Sequence, residues 1–175
     1  MLPHKYIYLS LCLFPFGLFA EVDLSAVMQS FVGSWSGKYT VHSTATGFTE
    51  VFEVQQQYWL EGGKLYGASV TVRDQGMQSA TSITVIEDDH YYSIIKRGEA
   101  KEEYVGVPKE GGILWLPRNM NRATDNQIRE WVEIVNGKRQ LKTEGFDTYV
   151  FAEGLAHLVY KGELLEVLPD PVEPK

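Results

Sequence analysis

The chain predicts an all-β protein, an antiparallel up-and-down barrel of about ten strands with a short N-terminal capping helix. Three observations predict it. From residue 36 onward, apolar side chains recur at every second position, the period of a strand with one face covered. Turn-forming residues interrupt that pattern about every ten to thirteen positions, as in a sandwich or barrel. Ahead of the strands, Leu24, Val27, Met28 and Phe31 fall at i, i+3, i+4 and i+7, one apolar stripe over two helical turns.

The first 20 residues stand apart from that pattern. They hold one full positive charge, Lys5, no acid, and an apolar run from Tyr6 to Ala20. The run is short for a membrane span and ends on a small residue, which predicts a signal peptide cut after Ala20. The expected location is therefore secreted or periplasmic, with no membrane span after cleavage; an uncleaved N-terminal anchor is the alternative. Cys12, the one cysteine, lies within this leader. Residues 21–175 then have no disulfide, thiol nucleophile or thiolate metal site. The formal net charge is −7 for the whole chain and becomes more negative once Lys5 is removed, which argues against nucleic acid and anionic lipid as partners. There is no Asn-x-Ser/Thr acceptor.

Residues 21–168 are expected to form one barrel domain, long enough to bury a single core. Its helix starts at Asp23 or Ser25, whose side-chain oxygens suit an N-cap, and Gly33 suits its stop. So short a helix needs a surface to dock on. In the strands that follow, Tyr39 and Val41 alternate with Lys38, Thr40 and His42; Phe48, Phe52 and Val54 bracket Glu50; Tyr66, Ala68, Val70 and Val72 alternate with Gly67, Ser69 and Thr71. Turns are expected at Gly47, Glu61-Gly62-Gly63-Lys64, Asp74-Gln75-Gly76, Glu87-Asp88-Asp89, Arg97-Gly98-Glu99, Lys109-Glu110-Gly111-Gly112, Asn136-Gly137 and Glu153-Gly154. Asn136-Gly137 is the strongest, since a two-residue hairpin wants two residues that tolerate positive φ. One connection, 117–126, is longer, and the Pro-rich stretch 169–175 is expected to be a disordered tail. Hairpins joining successive strands favour a meander, and closing it removes the exposed edges.

The opening Phe31-Val32-Gly33-Ser34-Trp35-Ser36-Gly37, a helix running into Gly-x-Trp on the first strand, resembles the calycin group of lipocalin-like barrels, including bacterial lipocalin-like families. That resemblance implies that Gly33, Trp35 and Gly37 close the barrel base, with the tryptophan as plug and its indole N–H on a buried partner. Lipocalins also set a late arginine against this tryptophan. The last arginine here is Arg139, which leaves Lys161 as the substitute near the chain's end. Nitrobindin barrels begin similarly and carry an axial haem histidine on a late strand. The resemblance would match Gly33, Trp35, Gly37 and His157, with Tyr39 where a further glycine is expected.

Catalytic signals are few. Gly33-Ser34-Trp35-Ser36-Gly37 has tryptophan where a nucleophile elbow needs serine. Glu87-Asp88-Asp89-His90 gathers four potential ligands, but a hairpin turn points neighbours apart into water. Glu130 and Glu133 take opposite parities around Trp131, so they do not form an acid–base pair. Arg118, Arg122 and Arg129 flank the long loop and could meet an anion at a barrel mouth, or be plain surface charge. His42, His90 and His157 lack metal-ligand spacing. No metal and no cofactor are expected. The barrel is expected to bind a small apolar molecule without catalysis, lined by Tyr39, Phe52, Tyr66, Trp115 and Trp131. The alternatives are the haem enzyme with His157 as ligand, and a filled barrel acting as a protein-interaction module through its acidic rim.

Overall fold

The computed structural model describes residues 23–118, 126–151 and 154–168. The expected leader at 1–20, the tail at 169–175 and Arg122 lie outside them. One helix and ten antiparallel strands make up the fold: α1 (Leu24–Phe31), β1 (Gly33–Ser43), β2 (Thr49–Glu61), β3 (Lys64–Arg73), β4 (Gly76–Glu87), β5 (His90–Arg97), β6 (Ala100–Lys109), β7 (Gly112–Pro117), β8 (Gln127–Val135), β9 (Lys138–Phe151) and β10 (Gly154–Glu166). Each strand pairs with its neighbour in sequence, and β1 pairs with β10 from Trp35↔Glu166 to Ser43↔Leu158, so the meander closes into a barrel. Among the described residues no helix is long and apolar enough to cross a membrane.

The predicted helix and turns have clear local causes. Asp23 caps α1 by accepting from Ser25 N–H at 2.9 Å and Ala26 N–H at 3.1 Å. The tight hairpins put both central residues at positive φ: 57° and 75° at Gly62 and Gly63, 47° and 59° at Asp88 and Asp89, 53° and 76° at Asn136 and Gly137. That geometry matches the strand twist, which is why glycine, asparagine and aspartate collect there.

The helix covers one end of the barrel. Met28 and Phe31 point down into it and are 2% exposed, and Trp35, 1% exposed, sits beneath them. The Trp35 indole N–H donates to the Phe31 carbonyl at 2.9 Å, so the plug also ties down the last turn of the helix. Tyr91 reaches from β5 to the Leu24 carbonyl at 3.1 Å, while Leu65, Ile113, Leu141 and Leu164 complete the base. At Gly37 an added Cβ would run into the Glu163 carbonyl of β10, so strand closure there requires glycine.

The cation against Trp35 is Arg139, not Lys161. The Arg139 guanidinium lies 5.0 Å from the indole ring, pairs with Glu166, and donates to the carbonyls of Ser30 at 2.6 Å and Val32 at 3.3 Å. It therefore binds β9, β10 and the end of α1 together. Lys161 stands outside on β10, paired with Glu163 at 3.3 Å. Sequence position misled here because an arginine at the start of β9 and the end of β10 share the same end of an antiparallel barrel; Arg139 lies beside β10 residue Leu165's partner Gln140.

Candidate functional site

Away from the helix the barrel is hollow. A cavity of about 400 Å³ runs from the buried base toward the opposite end, within the range of small-molecule sites. Strand register fixes its walls. One layer runs Ile113–Glu130–Thr143–Gly162–Tyr39–Phe52 across β7, β8, β9, β10, β1 and β2. Rings of Tyr39, Phe52, Tyr58, Tyr104 and Trp115 line one part of it, and Ser82, Thr84 and Ser93 another. The Thr84 hydroxyl donates to Ser93 at 3.0 Å.

At the centre of this layer is a half-buried acid that faces the cavity, Glu130. The Trp115 indole N–H donates to Glu130 Oε2 at 2.8 Å, and the Thr143 side chain also hydrogen-bonds to the carboxylate. Thr143 Oγ1 in turn lies 2.6 Å from the Tyr39 hydroxyl. Tyr39 reaches Thr143 by passing over Gly162, where an added Cβ would stand 2.6 Å from its ring. The missing side chain on β10 thus lets β1 and β9 meet. Burial raises the Glu130 pKa above the usual glutamate range, against the opposing pull of Trp115 and Thr143. Burial also pushes the Tyr39 and Tyr58 hydroxyls up, helped by the nearby Glu130 charge.

The far end of the cavity carries charge. Arg73 stacks 4.1 Å from the Phe52 ring centroid and pairs with Glu50 at 3.4 Å. Arg97 pairs with Glu102 at 3.1 Å, and Glu102 accepts from the Tyr104 hydroxyl at 2.6 Å. Tyr160 donates to Asp147 at 2.8 Å.

Of the five aromatic residues expected to line a site, Tyr39, Phe52 and Trp115 face the cavity. Tyr66 and Trp131 do not. Tyr66 stacks on Trp59 at 5.7 Å and 15°, on the outer face with exposed Val70 and Val72. Trp131 lies outside between Arg129, 4.3 Å from its ring, and Glu133, which accepts its N–H at 3.1 Å. β3 does alternate, but its polar set Gly67, Ser69 and Thr71 faces the cavity. Gly33, Trp35 and Gly37 lie at the end of the barrel that α1 covers.

His157 does not reach the interior. It shares its face with Leu155 and Val159, 74% and 40% exposed, while Ala156, Tyr160 and Leu164 point inward. Its ring meets Phe146 edge-on at 5.4 Å, and Nδ1 lies 3.0 Å from Thr148 Oγ1. Arg118 and Arg129 are engaged outside by Glu103 at 3.6 Å and Glu110 at 3.1 Å. Asp88 and Asp89 are exposed in their turn. Among the described residues no group of three or more His, Cys, Asp or Glu side chains could hold a metal ion.

Sequence reasoning missed Glu130, Thr143, Tyr58 and Arg73. A signal for Glu130 was present: it stands between Ile128 and Val132 at period two, an acid inside an apolar face. No protein-family model matches the chain, and no curated protein matches it.

Proposed function

We propose that the protein is an exported, lipocalin-like binding barrel that holds one small, largely apolar molecule without transforming it. The observation that carries this reading is the cavity of about 400 Å³ in a barrel sealed at one end by α1 and Trp35. Burying an aromatic or aliphatic body against Phe52, Val54, Tyr58 and Trp115 would supply the affinity, and the few polar groups would orient it. The hollow interior favours this over a filled interaction module. The acid is held by Trp115 and Thr143, and among the described residues no nucleophile–base arrangement is built around it, which favours binding over chemistry.

Titration with the neutral fluorescent probe N-phenyl-1-naphthylamine tests the reading. The expected outcome is saturable binding at one probe per chain. Ser93→Phe, which fills the cavity from β5, should abolish it, and Tyr66→Ala on the outer face should leave it unchanged. Absence of saturable binding, or equal binding by Ser93→Phe in a folded state, would contradict the reading.

A further inference from the structure

The middle of the cavity holds an acid with donors but, among the described residues, no paired cation. Glu130 takes a hydrogen bond from Trp115 N–H at 2.8 Å and another from Thr143, which is itself backed by Tyr39 at 2.6 Å. Three strands and a glycine gap on a fourth are arranged to present donors to this carboxyl group. Among the described residues it forms no ion pair, although Glu50, Glu102, Glu103, Glu110 and Glu166 all do.

A buried carboxyl group without a counter-charge costs stability, and a barrel needing only a bridge between β7 and β9 would be served by an uncharged amide. The N–H and O–H donors there favour the anionic form that burial disfavours, and a cationic partner would supply the missing compensation. Tyr39, Tyr58 and Trp115 line the same cavity, and aromatic faces attract cations. The chain's net charge of −7 also draws cations toward the barrel.

We infer that the cavity selects a small organic cation, a primary amine on an aromatic or aliphatic body, with its ammonium paired to Glu130 and its body against Tyr39, Tyr58 and Trp115. This inference rests on the reading of the barrel as a small-molecule binder. It adds the polar end of the ligand, and it departs from a purely apolar cargo.

Displacement of N-phenyl-1-naphthylamine by three matched probes at neutral pH tests it: 2-phenylethylamine, the neutral 2-phenylethanol and the anionic 3-phenylpropionate. The amine should compete best and the acid worst. Glu130→Gln should weaken the amine roughly ten- to a hundredfold, the worth of a charge-assisted contact, and leave the alcohol within about threefold. An amine that binds no tighter than the alcohol in the unaltered protein overturns the inference, whether or not Glu130→Gln folds. Equal loss of amine and alcohol in that variant overturns it as well. The two failures separate cleanly: if the naphthylamine probe binds but the amine has no preference, only this inference falls. If no probe binds, the small-molecule reading falls with it.

Discussion

Glu130 shows how one side chain can tie stability to pH. Its pKa in the folded barrel is raised by burial, so the native state holds its proton more tightly than the unfolded chain does. The sign follows from linkage: the contribution is fully present below the ordinary glutamate value of 4.5 and is lost as pH rises through the raised value. Glu130→Gln carries no charge to bury. Its stability relative to the unaltered protein should therefore improve progressively as pH rises from about 4.5 toward neutrality, read by thermal unfolding in matched buffers. A difference that stays flat across that range would mean that the acid is solvated. The same residue marks a limit of sequence reading. The period-two pattern placed Glu130 and Glu133 on opposite faces, which holds, but nothing along the strand says which face is inside when both are mixed. The partners that decide it, Trp115 and Thr143, are 15 and 13 positions away.

At the scale of elements, the local signals were the legible ones. The stripe in α1, the glycine at its end and the positive-φ turn pairs each depend on residues a few positions apart, so they could be read directly. The seal between α1 and the barrel could not, because it joins residues more than a hundred positions apart, Ser30 and Val32 with Arg139. That seal makes a graded prediction. Trp35→Ala should cost about 3–5 kcal/mol, the range for a buried aromatic truncated to a cavity. Arg139→Ala should cost about 1–3 kcal/mol through the unsatisfied helix-end carbonyls and the lost ion pair. Lys161→Ala, on the solvated face, should change stability by less than about 0.5 kcal/mol. Chemical denaturation of the three variants gives the order, and a larger loss from Lys161→Ala than from Arg139→Ala would reverse the assignment.

Across the whole molecule, the fold class was legible and the direction of the strand faces was not. Even turn spacing and short connections specify a meander, and closure follows from removing its edges. On β3, however, apolar Tyr66, Val70 and Val72 look outward, and cross-strand pairs Trp59–Tyr66–Ile83–Ile94 continue that outer apolar row over β2 to β5. A strand with apolar residues outside and glycine, serine and threonine inside reads backwards unless the barrel's interior is known to be a polar-lined cavity. On that pattern Tyr66 reads as an inward residue although it faces out.

The central claim, that the binding site lies inside the barrel, is open to one direct measurement. The chain has four tryptophans, and their indole N–H signals report separate places: Trp35 in the base, Trp115 on the cavity wall, Trp59 and Trp131 on the outer face. Adding N-phenyl-1-naphthylamine to nitrogen-15-labelled protein should shift the Trp115 indole signal to saturation and leave Trp59 and Trp131 in place. Saturating shifts at Trp59 or Trp131, with Trp115 unmoved, would put the site on the outer surface and contradict the account.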